Sequence, residues 1–237
     1  MNNNILSVIR RELEQAADSG TKGTLKLFFK EDIRLYGIPT ATVTRIARKH
    51  FRDVKPLGKK EIFVLCQELL RSDYMEEAAI ACEWSYWLHD EYEESDFSLF
   101  EKWLTRYVNN WAKCDSLCNH TIGSFIEKYP RYVANIKKWT ASENRWLRRA
   151  AAVTLIIPAR KGEFLQDIFE IANSLLLDKD DLVQKGYGWL LKEASRMHQQ
   201  EVFEFVLKNK KVMPRTALRY AIEKMPRDLR LRAMAKD

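Results

Sequence analysis

The four-residue pattern Trp-Leu-x-Arg/Lys occurs three times in this chain, at a constant spacing of 43 residues. The copies begin at Trp103, Trp146 and Trp189. This interval is too long for a heptad or a single helix, and it lies in the range of about 40–47 residues that is typical of two- and three-helix repeat units. Such helix pairs bury their apolar faces against the next pair and stack into a curved solenoid. We therefore expect recurring residues to belong to the scaffold, and residues that break the repeat to be candidates for function.

Few turn residues interrupt the helical patterns of the sequence. The 237 residues include 8 glycines and 6 prolines, which argues against an all-β or loop-rich fold, and 46 % of them are hydrophobic, which is enough for a sizeable core. Helix boundaries are expected at residues 37–40, 56–58, 142–144, 178–181 and 213–215. We predict one all-α domain over residues 1–237, with helices near residues 4–18, 23–35, 40–52, 59–71, 75–90, 96–109, 115–128, 131–139, 144–158, 163–177, 181–196, 200–210 and 215–224.

The sequence shows neither an export signal nor a membrane span. Residues 1–12 contain no uninterrupted apolar stretch. The longest nearly apolar run, residues 150–159, has about half the length of a membrane span and contains Pro158. Four cysteines in a chain without an export signal indicate a reducing compartment and no disulfides. We therefore expect a cytoplasmic protein that does not contact membranes.

The net charge of +7 is unevenly distributed along the chain. Residues 73–101 contain ten acidic residues and no lysine or arginine, whereas residues 131–161 contain eight basic residues against one acidic residue, and residues 208–236 ten against two. A basic stripe attracts phosphates, and counterion release makes such binding salt-dependent. The two basic blocks favour a polyanion partner, although any single block is equally typical of a solvated surface.

Motifs of several common enzyme classes are absent from the sequence. It contains no Gly-rich phosphate loop, no Gly-x-Ser-x-Gly elbow and no His-Glu-x-x-His. Cys114, Cys118 and His120 resemble a zinc cluster only superficially, because one cysteine pair at i and i+4 without a second ligand pair fits structural zinc spacings poorly. Buried helix cysteines are the better interpretation, and we expect neither a metal nor an organic cofactor.

Trp111 and Asp115 break the repeat, because neither residue type recurs one period later. In a continuous helix these two residues, four apart, share one face. That face is apolar in the turns before and after them, and a carboxylate in an apolar stripe requires a partner or a function. The alternative is that Asn109 and Asn110 end one helix and that Asp115 caps the next.

Four motifs resemble those of the AlkD-type DNA alkylation repair glycosylases, which are HEAT-like repeat proteins. They are Tyr36-Gly37-Ile38-Pro39, Trp111-x-x-x-Asp115-Ser116, Trp146-Leu-x-Arg149-Ala150-Ala151 and Gln184-Lys185-x-x-Gly188-Trp189-x-Leu191-Lys192-Glu193. Their order and spacing fit the family along nearly the whole chain. Two positions depart from the family pattern: Asn110 stands where an aromatic residue can precede the motif tryptophan, and Ala112 where an acidic residue can follow it. The resemblance implies an all-α, HEAT-like helical-repeat solenoid that forms a single curved domain with a concave basic groove.

The resemblance also implies a function, the excision of cationic N-alkylated purines such as 3-methyladenine and 7-methylguanine from duplex DNA in base excision repair. The residues that line the DNA groove in the family correspond here to Asp115, Arg149, Trp111 and Trp189. Cleavage passes through an oxocarbenium-like sugar, and a cationic base leaves in its neutral form without a general acid. Asp115 is then expected to stabilise the sugar and position water. Arg149 is expected to hold a phosphate, and the two tryptophans to face the sugar.

The expected partner is double-stranded DNA that contains alkylated bases, and a monomer is sufficient to bind it. Three further residues are expected to contact phosphates: Arg148, Lys185 and Arg215. Packing is an alternative explanation for Trp189 and Arg149, because both belong to the 43-residue repeat. Two alternative functions are a non-catalytic HEAT-like protein that binds branched, bent or damaged DNA, and a protein-interaction scaffold that uses the acidic block 73–101.

Overall fold

A computed structural model describes residues 2–235, of which the side chains of residues 4–235 are placed. This described part of the chain is almost entirely helical and has no β-strand, only an isolated bridge between Arg34 and Tyr74. The predicted all-α class is confirmed. None of the helices among the described residues is long and apolar enough to cross a membrane. The α-helices are α1 (Asn2–Ala16), α2 (Ser19–Lys26), α3 (Thr40–Val54), α4 (Lys59–Arg71), α5 (Met75–Tyr86), α6 (Asp96–Tyr107), α7 (Trp111–Ser116), α8 (Gly123–Lys128), α9 (Val133–Trp139), α10 (Arg145–Val153), α11 (Ile156–Arg160), α12 (Leu165–Ser174), α13 (Asp181–Ala194), α14 (Gln199–Asn209), α15 (Arg215–Ala221) and α16 (Arg227–Met234).

Two of the predicted helix starts have the capping hydrogen bonds that the sequence indicated. Asn144 caps α10, and its side chain accepts a hydrogen bond from the backbone N–H of Trp146 at 2.9 Å. Asp180 caps α13, where one carboxylate oxygen accepts from the N–H groups of Leu182 at 2.9 Å and Val183 at 3.3 Å. These side chains satisfy N–H groups that have no partner within the helix.

The prediction of a helix at residues 23–35 is wrong, because α2 ends at Lys26 and no helix forms again before residue 40. The Glu76 carboxylate explains part of this difference. It accepts hydrogen bonds from three successive backbone N–H groups, those of residues 36–38, at 3.0, 2.8 and 3.2 Å. Gly37 has φ +94°, and a Cβ there would lie 2.6 Å from the carbonyl oxygen of Asp18, so only glycine fits.

The helices repeat at a shorter interval than the Trp-Leu-x-Arg/Lys pattern indicated. Six helices (α3, α5, α7, α10, α13 and α15) begin at residues 40, 75, 111, 145, 181 and 215, so successive starts are 34 to 36 residues apart. The 43-residue spacing does not mark equivalent positions: Trp103 lies in the second half of α6, whereas Trp146 lies in the first turn of α10. The prediction of a helical-repeat architecture holds, but the repeat length read from the tryptophans is wrong.

The chain divides into two compact units, the first ending at Leu117 and the second beginning at Cys118. In the first unit, α5 packs against α3, α4 and α7, and α3 also contacts α1. An aromatic cluster fills part of its core, where Phe63 contacts both Phe100 and Trp103 at centroid distances of 5.6 Å. The indole N–H of buried Trp84 donates to the carbonyl of Ala47 at 2.9 Å, which joins α5 to α3.

In the second unit, α13 is the central helix and contacts α10, α11, α12 and α15. Its approach to α15 is close at Gly188. A Cβ at this position would lie 2.7 Å from the Cβ of Tyr220 and 2.8 Å from the carbonyl oxygen of Ala217. The absence of a side chain therefore sets the distance between the two helices.

The acidic block 73–101 is only partly a solvated surface, because several of its acids are engaged inside the first unit. Besides Glu76, Glu77 is buried and accepts hydrogen bonds from Arg10 at 3.0 Å and from the Tyr36 hydroxyl at 2.9 Å. Glu83 accepts from the Thr44 hydroxyl at 2.6 Å. Two further acids of the block, Asp73 and Asp96, form ion pairs with lysines of the first unit. Half of the block's acids thus hold the first unit together.

Candidate functional site

Helix α7 carries both Trp111 and Asp115, and after Ser116 it continues directly as a π-helix over Leu117–Ile122. The break between the predicted helices 96–109 and 115–128 is confirmed, but it is shorter than predicted, because α6 ends at Tyr107 and the next helix begins at Trp111 rather than at residue 115. The side chain of Asn110 caps α7 by accepting from the backbone N–H of Lys113 at 3.0 Å, so the alternative in which Asp115 is the cap is wrong. Trp111 is the first residue of α7 and Asp115 the fifth, one helical turn apart, as their spacing predicted.

Two neighbouring phenylalanines hold the indole of Trp111. Its N–H donates to the carbonyl of Phe28 at 3.2 Å, and the Phe29 ring stacks on it at a centroid distance of 5.2 Å and an angle of 15°. Phe29 covers one face of the indole, so a ligand contacts Trp111 through the other face or the edge. Neither phenylalanine was among the predicted site residues, although two adjacent aromatic residues between Lys26 and Lys30 are a signal that one of them is exposed.

An apolar cleft lies beside α7 within the first unit. Its volume is about 280 Å³, and α7 contributes Trp111, Ala112 and Ser116 to its wall. Asp115 is on the helix face next to these residues. The rest of the wall comes from α2, α3, α5 and residues 28–38. These lining residues are Leu25, Phe28, Phe29, Ile33, Leu35, Ile38, Thr40, Val43, Met75, Glu76 and Ala79.

In the second unit, Arg149 is buried in α10 with 5 % of its surface exposed. Its guanidinium donates to the carbonyl of Leu182 at the start of α13. It also packs on Gly186, where a Cβ would lie 3.4 Å from the Arg149 Cγ. At least part of this guanidinium is therefore used inside the second unit, between α10 and α13.

The neighbouring Arg148 is engaged within the second unit. Its Nε lies 2.6 Å from a carboxylate oxygen of Asp178, and Nη1 donates to the carbonyls of Ser142 at 2.9 Å and Glu143 at 3.0 Å. These bonds join the start of α10 to the segment before α13. A phosphate has to compete with Asp178 for this guanidinium, so the structure gives Arg148 a clear scaffold role beside the predicted DNA contact.

Trp189 is partly exposed on α13, and the buried carboxylate of Glu193 orients it. The indole N–H donates to Glu193 Oε1 at 3.2 Å, while Oε2 accepts from Arg160 Nε at 2.8 Å and Arg196 Nε at 2.6 Å. Burial by itself raises the pKa of Glu193, but the hydrogen bonds from Arg196 and Arg160 hold it below its ordinary value of 4.5. The sequence motif included Glu193, but its role as the partner of Trp189 became apparent only in the structure.

The other two predicted phosphate contacts differ in their surroundings. Lys185 is partly exposed, and its Nζ lies 3.3 Å from Asp181 one turn earlier in α13. Arg215 is exposed at the first position of α15. Both side chains are accessible to a polyanion. To bind a phosphate, Lys185 has to give up its surface ion pair with Asp181, and such pairs are weak.

Four of these helices carry a charged residue at the same place, which we name the fifth-position series. It consists of the fifth residues of α7, α10, α13 and α15, which are Asp115, Arg149, Lys185 and Arg219. In the second unit the three cations of the series lie on helices that contact each other in succession. Asp115 is the member of opposite charge. Arg219 had not been predicted, because the 43-residue spacing does not place it in register with Arg149.

The sequence matches the family model of the DNA alkylation repair enzyme over residues 9–225. The chain belongs to this family. Its structure is similar to that of a protein from Enterococcus faecalis described as a predicted DNA alkylation repair enzyme, with a TM-score of 0.79 and 16 % sequence identity over 89 % of this chain and 97 % of that chain. At this identity the likeness concerns the fold. No curated protein shows a significant match to the sequence. Family membership assigns the protein to the repair of alkylated DNA and implies that it binds DNA.

In this DNA alkylation repair family member, many basic residues of the block 131–161 are neutralised inside the second unit. Lys137, Arg145, Arg160 and Lys161 form ion pairs with acids of other segments, as Arg148 does. Exposed positive charge is concentrated instead in the block 208–236, of which Lys236 lies outside the described residues. The exposed arginines of α15 and α16 are Arg215, Arg219, Arg227, Arg230 and Arg232.

The repair protein's cysteines are buried, and within residues 2–235 no group of three or more His, Cys, Asp or Glu side chains could hold a metal ion. Burial raises the pKa of the Cys66 thiol, and it raises that of Cys82 to about 12. Both side chains therefore remain protonated thiols near neutral pH, which is typical of cysteines that serve packing.

Proposed function

We propose that this protein is a monofunctional DNA glycosylase that excises cationic N-alkylated purines, such as 3-methyladenine and 7-methylguanine, from duplex DNA. The proposal joins the family's role in alkylation repair to the residues of α7. Asp115 stabilises the oxocarbenium-like sugar electrostatically and positions the water that attacks its anomeric carbon.

The proposed substrate class follows from the number of carboxyl groups that cleavage of the N-glycosidic bond requires. Protonation of the leaving group requires a second carboxylic acid in ordinary glycosidases. A purine that alkylation has made cationic already carries that charge, and it departs as a neutral base when the N-glycosidic bond breaks. A single carboxylate is then sufficient, and neither a lysine nucleophile nor a metal takes part.

The observation that carries the proposal is the place of Asp115 in the fifth-position series. The series places cations on α10, α13 and α15, where they suit a polyanion, and an anion on α7, one turn from Trp111. A carboxylate weakens phosphate binding at this position, so its presence there is explained by a reaction that develops positive charge.

The remaining predicted residues serve DNA binding in this proposal. Trp111 and Trp189 offer aromatic surface to the DNA, and Arg149 binds a phosphate. Lys185 and Arg215 add phosphate contacts, and Arg219 joins them through its place in the fifth-position series.

A second candidate function keeps DNA binding and omits the reaction: a non-catalytic protein for branched, bent or damaged DNA. This alternative is favoured because two of the predicted site residues already have partners inside the protein. Phe28 and Phe29 contact Trp111, and Asp178 forms an ion pair with Arg148. The exposed arginines of α15 and α16 then bind the DNA backbone without a contribution from Asp115.

The deciding experiment measures release of free bases from methylated duplex DNA under single-turnover conditions. Asp115→Asn removes the charge and keeps the shape, and we expect a fall in rate of about 10²–10³-fold. Asp115→Glu retains the charge and displaces it, so an intermediate rate is expected. Asp228→Asn, which removes an exposed carboxylate of α16, is the matched control and should leave the rate unchanged.

Two results would contradict the proposal. If Asp115→Asn releases bases as fast as the unaltered protein, the carboxylate is not the reacting group. If the unaltered protein binds DNA but releases no alkylated base, the non-catalytic alternative replaces the glycosylase.

A further inference from the structure

Lys113 places a buried ammonium group in the middle of α7. Its side chain is 2 % exposed, and Nζ lies 2.5 Å from Asp73 Oδ1, 3.1 Å from the Asp73 carbonyl oxygen and 3.2 Å from Asn109 Oδ1. An ammonium group has three N–H donors, and these three oxygens account for all of them. The charge of Lys113 is therefore directed into the first unit rather than towards a phosphate.

Asp73 lies in the connection between α4 and α5 in a backbone conformation that non-glycine residues rarely adopt. Its φ is +68°. Lys113 binds both the carbonyl and the carboxylate of this residue, and the Asn109 amide donates to the same carboxylate at 2.8 Å. These contacts hold Asp73 in its conformation and attach it to Asn109 and Lys113, which lie before and after the capping residue Asn110 in the sequence.

Helix geometry places this ion pair behind the candidate site. Lys113 is two residues from Trp111 and two from Asp115, and two residues correspond to a rotation of about 200° around an α-helix. Its side chain therefore leaves α7 on the side opposite to both residues. At its C-terminal end α7 continues directly into a π-helix over Leu117–Ile122, whereas its N-terminal end follows the non-helical residues 108–110. The contacts of Lys113 therefore act on the end of the helix that carries Trp111.

We propose that Lys113 is a positioning residue, which through Asp73 sets the rotation and depth of α7 and thereby places the Asp115 carboxylate and the Trp111 indole. The inference rests on the proposed glycosylase function. It adds a residue that does not touch DNA and whose effect on the reaction is transmitted by the helix.

The test compares Lys113→Met with a matched control, Lys59→Met, in single-turnover excision. Lys59 is another nearly buried lysine of the first unit, 10 % exposed, and its Nζ lies 2.9 Å from Asp96 and 2.8 Å from the carbonyl of Glu91. Both substitutions break an ion pair and a lysine–carbonyl bond, but only Lys113 lies on α7.

We expect Lys113→Met to lower the excision rate by about 10- to 100-fold, because a misplacement of about 1 Å costs on the order of 10²-fold. Lys59→Met should stay within about twofold of the unaltered protein. The DNA dissociation constant and its salt dependence should not change with Lys113→Met, because a lysine that binds no phosphate releases no counterion. An unchanged rate overturns the proposal, and so does a smaller salt dependence, which would mark Lys113 as a DNA contact.

A second readout does not depend on activity. In protein labelled with 5-fluorotryptophan, the Trp111 resonance is assigned with Trp111→Phe, and Lys113→Met should shift or broaden it while Lys59→Met leaves it unchanged. If Lys113→Met leaves the Trp111 resonance unshifted, the positioning role of Lys113 is wrong, whether or not the protein excises bases. The measurement therefore distinguishes failure of this proposal from failure of the proposed glycosylase function. If Lys113→Met does not fold, Asp73→Asn keeps the shape of the pair and should shift the same resonance.

Discussion

The contact between α13 and α15 gives a quantitative prediction from two glycines of one helix. Gly186 and Gly188 lie two residues apart in α13. A Cβ at Gly188 would lie 2.8 Å from the carbonyl oxygen and 3.1 Å from the Cα of Ala217, whereas the closest contact of a Cβ at Gly186 is 3.4 Å, to the Arg149 side chain. We therefore expect Gly188→Ala and Gly186→Ala to change stability in opposite directions.

The magnitudes follow from two effects. Replacing glycine by alanine inside a helix is favourable by about 0.8–1 kcal/mol. Overpacking costs about 1–3 kcal/mol, and at Gly188 it should reach the upper part of that range because backbone atoms of α15 cannot rotate away. Gly188→Ala should therefore lower the free energy of unfolding by about 1–2 kcal/mol. Gly186→Ala, which has ordinary contacts, should raise it by up to about 1 kcal/mol.

Thermal and urea unfolding followed by circular dichroism test this prediction. In a chain of this size, 1 kcal/mol corresponds to about 2–4 °C in Tm. The Tm should fall by about 2–8 °C for Gly188→Ala and rise by about 2–4 °C for Gly186→Ala. Equal stabilities of the two variants, or a Gly188→Ala protein at least as stable as the unaltered one, would refute the close approach of α13 and α15.

Two further predictions concern the cap of α7 and the partner of Trp189. Asn110→Ala should cost about 1 kcal/mol, measured by urea unfolding, because it removes the cap of α7; no loss of stability would show that the cap contributes nothing. The pKa of Glu193 is lower in the folded protein, so its stabilising contribution is complete above the ordinary value of 4.5 and disappears as the pH falls through the folded-state pKa. Glu193→Gln should therefore destabilise the protein at pH 7, and the difference from the unaltered protein should shrink as the pH falls below the ordinary value of 4.5. A difference that is independent of pH would contradict the assignment.

Local signals in the sequence predicted local structure well. Asn144 and Asp180 were expected at helix starts and cap α10 and α13. The spacing of Trp111 and Asp115 predicted a shared face if one helix holds both residues, and α7 does hold both, although that helix was expected to begin only at residue 115. Capping and helical spacing act within a few residues, so that the sequence pattern is sufficient to predict them.

Features that depend on contacts distant in sequence were not predictable. Glu76 holds the backbone of residues 36–38 from about 40 positions away, and no local pattern shows that a carboxylate is buried there. The Trp-Leu-x-Arg/Lys spacing gave a wrong repeat length because tryptophan can be buried at many places in a helical fold. Trp103 is fully buried in α6, whereas Trp189 is partly exposed on α13. Helix starts, rather than a residue type, carry the repeat.

The fifth-position series has a consequence for how such a protein changes during evolution. One backbone place recurs on α7, α10, α13 and α15, and the side chain there is a carboxylate once and a cation three times. The helix scaffold determines the position of the fifth side chain, while the residue type at that position determines whether its charge is negative or positive. In our proposal, loss of Asp115 would turn a repair enzyme into a DNA-binding protein without altering its helices. Catalytic and non-catalytic descendants of one ancestor could thus share nearly the same backbone.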